Sequence, residues 1–329
     1  MLKYIALRLL TFFLVLIGTS FVAFMILYFF SPEGAPASIA VWFGHTDGSP
    51  SGIYAWNAVR GLNDHILIQY IRYIAGVFRG NLGVSFTHFV PLTPIIMQHF
   101  SHTVLLGLFS IAISLILAFL TSTVSYKKKS FWIGGATKAI ALIGISMPAF
   151  VLGMLLIFLF PEAIGALITI RQPGLGRYAS FTNNYNLLLP SVSLGIVMFF
   201  VILYSINSTF PSIIRQNYIR TAYSKGLSED RVFKKHILYN IFACTLPALR
   251  ANLGTFFANI IFIEFLFSRP GIGWILHRTA WSRDYPMILG CLIMFILFYW
   301  LINVILDIAQ AFIDPRKREP FSPLYMSQY

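Results

Sequence analysis

The sequence predicts an all-α membrane protein of about six transmembrane helices, and three observations carry that reading. The 329 residues are 57% hydrophobic with a mean hydropathy of +0.76, and only 11% are charged. A soluble domain is nearer half apolar and about a quarter charged, so this chain has too few polar groups to cover a water-facing surface. Six apolar runs recur along the chain, each close to the ~20 residues that span a hydrocarbon core. The net charge of +13 gathers at the ends of those runs, which marks topology rather than nucleic-acid binding.

Residues 9–30 are uncharged, follow Lys3 and Arg8, and close at Ser31, Pro32 and Glu33. The run exceeds the ~7–15 residues of a signal-peptide core and reads as a retained first helix with a cytoplasmic N-terminus. The second run covers residues 103–126 and stops at Lys127, Lys128 and Lys129. The third begins after Lys138 and ends near Pro161 and Glu162, and the fourth lies within residues 187–210. The fifth, residues 244–267, is the weakest because it contains Pro247, Arg250 and Glu264. The sixth covers residues 285–306. The division expected is a first helix (1–30), an external region (31–100), a five-helix core (101–313) and a cytoplasmic tail (314–329).

With both termini inside, cytoplasmic segments hold 15 of the 24 Lys and Arg, and external segments hold eight. That is the direction of the positive-inside rule. Cys244 and Cys291 fall near opposite ends of their spans, too far apart for a disulfide, and read as small packing residues.

Two connections exceed the ~12–15 residues of an ordinary loop. Residues 31–100 carry the turn residues Gly44, Asp47, Gly48, Ser49 and Pro50, then Gln69-Tyr70-Ile71-Arg72-Tyr73, which suits an interfacial helix. Residues 211–243 face the cytoplasm and are patterned. Ile213, Ile214, Asn217, Tyr218, Thr221, Ala222 and Lys225 recur at helical spacing on one face, away from Arg215 and Arg220. Gly226 then supplies a left-handed stop, and Ser228 can cap a second helix opened by Glu229 and Asp230. Two short helices joined by a glycine turn are expected, with Thr221 and Ala222 exposed for close approach by a partner. A DNA-binding helix-turn-helix shares this outline, but a site wedged between membrane spans disfavours it. An inert solvated loop is the plainer alternative.

These residues resemble a known family. Tyr218-Ile219-Arg220-Thr221-Ala222-Tyr223-Ser224-Lys225-Gly226-Leu227-Ser228 is similar to the EAA-type coupling loop of ABC importer permeases, in its dipeptide, oligopeptide and nickel branch. The resemblance continues in Met1-Leu2-Lys3-Tyr4-Ile5, Arg79-Gly80-Asn81-Leu82-Gly83-Val84-Ser85-Phe86, Gly144-Ile145-Ser146-Met147-Pro148-Ala149-Phe150, Ser268-Arg269-Pro270-Gly271-Ile272-Gly273, Arg283-Asp284-Tyr285-Pro286 and Asp314-Pro315-Arg316. It implies a type I importer permease in the cytoplasmic membrane. It also implies a second homologous permease, one or two cytoplasmic ATPase chains and an external substrate-binding protein. Arg220, Thr221, Ala222, Lys225, Gly226, Leu227 and Ser228 would then couple to the ATPase. The sequence departs from the family in having Arg220 or Thr221 where the general pattern has glutamate, and Pro247 where a proline is usual near Cys244.

No G-x-x-x-x-G-K-[ST] phosphate loop occurs, so the expectation is a non-enzymatic subunit that binds no cofactor, with ATP and Mg on partner chains. Intramembrane charges usually face a cavity or a partner, which makes Glu264, Arg250 and Asp307 the candidates for a translocation pathway, against a plain pairing role. His99 and His102 are spaced to ligate a metal, yet two ligands at a helix start are more often incidental, and no metal is expected. The rival class is a self-sufficient secondary transporter, disfavoured by the lack of an evident inverted repeat or interrupted helix pair.

Overall fold

A computed structural model describes residues 2–29, 64–85, 87, 90–127, 131–159, 187–282 and 284–313. The expectations about residues 31–63, including the turn residues Gly44, Asp47, Gly48, Ser49 and Pro50, and about the tail 314–329 lie outside these residues. Among the described residues the structure is helical, with only an isolated bridge between Val84 and Pro91. Among the described residues four helices are long and apolar enough to cross a membrane, and up to six spans result if two bent pairs each count as one. The chain divides into two compact units, Leu2–Thr103 with Pro270–Trp300, and chiefly Val104–Arg269 with Leu301–Tyr329.

In the first unit, α1 (Leu2–Phe29) is apolar all round from Leu10 onward, as a helix in lipid must be. Its buried stripe is Phe12, Leu16 and Ser20, at a spacing of four. Phe12 and Leu16 pack on Ile293 with Trp300 alongside, and the Phe12 and Trp300 rings are 4.2 Å apart. The expected interfacial helix is α2 (Ile66–Phe78), and it docks on α1 rather than lying free. The Tyr70 hydroxyl donates to the carbonyl of Ile17 and lies 2.9 Å from the Ser20 hydroxyl. Buried phenol and buried serine thereby satisfy one another.

The second long helix, α3 (Leu92–Lys127), starts eleven residues earlier than hydropathy suggested, so His99 lies within it and is half-buried. Thr93 shows why the helix can begin there. Its hydroxyl accepts from the Leu82 amide (3.1 Å) and donates to the Gly80 carbonyl (3.0 Å), tying the first turn to the preceding loop.

The second unit corrects a premise of the sequence reading, because it contains two interrupted helix pairs. α4 (Phe131–Ile145) and α5 (Ala149–Leu159) meet at a 100° bend. Pro148 has no N–H to continue α4 and forces the residue before it out of helical geometry. The Ser146 and Met147 amides close α4 on Ile143 and Gly144, and the Pro148 carbonyl opens α5. α6 (Leu188–Ile214) is the centre of this unit, packed against both α4 and α5. Its buried residues Ser191, Leu194, Met198, Ile202 and Ile206 form one stripe at helical spacing.

Beyond α6 come α7 (Asn217–Ser224) and α8 (Glu229–Val232), then a π-helical turn (Phe233–Ile237) that leads directly into α9 (Leu238–Ala251). The second helix after Gly226 is therefore not short, as expected, but opens the fifth span. α9 meets α10 (Leu253–Leu266) at a 61° bend centred on Asn252. Pro247 removes one backbone donor inside α9, and the Asn252 side chain donates to the Ala248 carbonyl (2.9 Å), closing the helix end. α11 (Ile272–Ser282) and the last described span, α12 (Tyr285–Ile313), follow.

Candidate functional site

The patterned loop folds around a single backbone requirement. Gly226 has φ +75°, a left-handed conformation that costs other residues a clash between Cβ and backbone. The Leu227 amide reaches back to the Ala222 carbonyl (3.3 Å) and the Gly226 amide to Tyr223 (2.9 Å), the double closure of a Schellman stop. A Cβ at Gly226 would meet nothing within 4 Å, so the constraint there is purely one of backbone. Ser228 holds the N-cap position of α8, but its hydroxyl makes no cap hydrogen bond. The start of α8 rests on backbone bonds to the Ser228 carbonyl and on Glu229 and Asp230 at its positive end.

The face of α7 differs from the expected one. Ile219 and Ala222 are buried (1% and 6% exposed), while Arg220, Thr221, Tyr223 and Lys225 are exposed. The expectation of an exposed Ala222 assumed one continuous helix from Ile213. Gln216 instead adopts an extended conformation (φ −70°, ψ 145°), which breaks α6 from α7 and resets the rotation of everything after it. Beneath the turn, Val232, Phe233, Ile237 and Ile241 are buried. Asn240 donates to the Tyr218 hydroxyl (2.9 Å) and locks α7 to α9. Partial burial raises the Tyr218 phenol pKa, and the Asn240 bond opposes that rise. Arg215, Arg220, Lys225, Arg231, Lys234 and Lys235 are all exposed, so the site presents a cationic surface around the Gly226 turn.

The other candidate residues fall into two groups. Arg250, in the last turn of α9, forms an ion pair with Asp307 of α12, whose side chain is 4% exposed. Glu264 is fully buried in α10, and its carbonyl accepts the Arg269 amide (2.8 Å). Burial lowers the Arg269 pKa and the neighbouring Glu264 charge raises it. His99 makes a 2.7 Å hydrogen bond with the Pro270 carbonyl and stacks on Trp274, and no cluster of three metal-ligating side chains assembles among the described residues. Cys244 is half-buried and Cys291 buried, as small packing residues are.

Asp284 was not singled out by sequence, although it is 1% exposed and accepts hydrogen bonds from Ser85 and from Thr87 (3.0 Å). Its signal was its place immediately before an apolar span, where a carboxylate suits the helix N-terminus. Arg269, also buried, stands in the motif Ser268-Arg269-Pro270-Gly271-Ile272-Gly273, which carried the family resemblance but gave the residue no role.

The chain is a helical membrane protein in which a glycine turn feeds a broken span, and comparison with known proteins names its class. The chain belongs to the family of binding-protein-dependent transport system inner membrane components, which matches residues 110–319, with the family's N-terminal companion matching residues 1–107. These are membrane permeases of ABC importers, which work with ATPase and substrate-binding partners and are not themselves ATPases. The chain is 29% identical to the dipeptide transport system permease protein DppB of Alkalihalophilus pseudofirmus, across 96% of its own length and 99% of that protein. It is 31% identical to the glutathione transport system permease protein GsiC of Escherichia coli O6:H1 (78% and 81% covered). It is 28% identical to the nickel import system permease protein NikB of Staphylococcus aureus strain USA300 (78% and 75% covered).

Proposed function

We propose that this chain is one of two homologous permeases in an importer of di- or oligopeptides or a related small solute, with both termini cytoplasmic. One or two cytoplasmic ATPase chains bind ATP and Mg, and an external binding protein delivers the solute to the region 31–100. The observation that carries the reading is the left-handed Gly226 turn, which joins α7 to a helix running without interruption from Glu229 to Ala251. Arg220, Thr221, Lys225 and Ser228 form the contact with the ATPase. Ala222 and Leu227 hold the turn from within, through the bond between the Leu227 amide and the Ala222 carbonyl. Glu264 is the pathway candidate, since its full burial in a span fits a carboxylate that faces solute or a partner. The mutual neutralisation of Arg250 and Asp307 favours a framework role for both over direct contact with solute.

The test is reconstitution of the assembled importer in liposomes, with peptide uptake and ATP hydrolysis measured with and without loaded binding protein. Uptake that requires all partners and ATP is the expected result. The two bent helix pairs favour one rival, a secondary transporter, whose binding sites are often built from broken helices. Solute uptake by the purified chain alone, driven by an ion gradient, would establish that rival.

A further inference from the structure

We propose that the ion pair between Arg250 and Asp307 is the positioning element that sets the joint at Asn252, and so carries motion of the Gly226 turn into the membrane. The inference rests on the reading of the chain as an ATP-coupled permease. Residues 229–251 form one lever, whose first turn follows the glycine turn and whose last turn holds Arg250. Immediately beyond lies Asn252, where the chain bends by 61° into α10. Asn252 closes each arm separately, its amide donating to the Leu249 carbonyl (3.2 Å) and its carbonyl accepting from the Phe256 amide (3.0 Å), so a contact outside the joint can set the angle between the arms.

The lever is tied to α12 at two levels. Near its middle the Tyr239 hydroxyl donates to the Ile313 carbonyl (2.8 Å), and at its far end Arg250 pairs with Asp307. The two ties differ in kind. Tyr239 is exposed and makes one neutral hydrogen bond, whereas Asp307 is almost wholly buried in an apolar span. A carboxylate there is strongly disfavoured without a cation, so the position of Arg250, and with it the end of the lever, is fixed by the charge. Arg250 also suits its own place, because a cation in the last turn of a helix meets the negative end of the dipole. Apolar residues in both positions would pack, but they would impose no direction. The pair therefore specifies an angle more than it adds stability.

The experiment compares wild type with four variants in the full reconstituted importer, reading solute moved per ATP hydrolysed per assembled complex. A merely structural role would lower the amount of assembled complex and leave that ratio alone. Arg250→Met, which leaves the buried Asp307 carboxylate without its partner, should lower the ratio by about tenfold or more, and Asp307→Leu, which leaves the part-exposed Arg250 untethered, should lower it in the same direction. The double variant Arg250→Met/Asp307→Leu removes that uncompensated charge, so it should assemble at wild-type levels yet keep the low ratio. The exchanged pair Arg250→Asp/Asp307→Arg should recover the ratio to within about threefold, as a direct interaction requires. A double apolar variant with the wild-type ratio, or an assembled exchange variant that stays uncoupled, would overturn the proposal. Wild-type importer with no ATP-dependent uptake would instead remove the permease reading beneath it, and that result is seen before any variant is made.

Discussion

The ring of Phe200 on α6 lies so close to Gly144 on α4 that a single added methyl would overlap its edge. Helix association in a membrane depends on such close approach, because lipid offers apolar side chains no less comfort than a neighbouring helix does.

Gly144→Ala should therefore cost about 1–3 kcal/mol, as overpacking does, and lower the unfolding temperature of the detergent-solubilised protein. A second change, Phe200→Leu, should return most of the loss by making room. Thermal unfolding of wild type, single and double variants checks this, and an unchanged midpoint for Gly144→Ala contradicts the contact.

Gly226→Val separates coupling from stability. The open space around Gly226 means that the substitution meets only backbone strain, about 1–2 kcal/mol for a non-glycine residue in the left-handed region. Membrane insertion and abundance should survive, while stimulation of ATP hydrolysis by loaded binding protein should be lost together with uptake. Gly226→Asn, which tolerates positive φ better, should keep a substantial part of both. Normal stimulation and uptake in Gly226→Val would leave the turn as an ordinary solvated loop.

The bend between α4 and α5 makes topology a sharp test. If the bent pair is one span, Leu175→Cys should react with an impermeant maleimide in intact cells, and Thr221→Cys only after permeabilisation. The background for both is Cys244→Ser/Cys291→Ala. A re-entrant hairpin would reverse the two results and place the Gly226 turn outside.

Asp284→Ala should loosen the segment at residues 79–91. Its carboxylate holds Ser85 and Thr87, and hydrogen bonds to a buried charge are worth about 1.5–3 kcal/mol each. Proteolysis of that segment should accelerate at unchanged expression, with Asp284→Asn intermediate because it retains an acceptor. Equal protease resistance in all three would show that the carboxylate does not hold the segment.

What the sequence disclosed follows from how local each signal is. The Gly226 turn was legible because lysine followed by glycine at a helix end has one common backbone solution. The spans were legible because hydropathy and flanking charge act over about 20 residues. The buried face of α7 was not, because one extended residue, Gln216, resets helical phase, and no side chain announces it. Hydropathy is also blind to direction, so α4 and α5 read as one straight span even though Pro148 sat in plain view between them. The pairing of Arg250 with Asp307 joins residues 57 apart in sequence, a distance over which no periodicity speaks.

The elbow at residues 146–148 has a mechanical consequence. One arm, α4, is seated on α6 through Gly144, while the other, α5, meets α10 through Gly153, whose missing Cβ would fall 2.6 Å from Leu266, with Phe150 beside Phe262. An unbroken helix in this place would act as a strut, and any slip of α10 against α6 would have to tear one of those seats apart. A jointed one is an expansion gap. Rotation of a few backbone bonds there would let α5 follow α10 across the face of α6 while Gly144 keeps α4 in its seat.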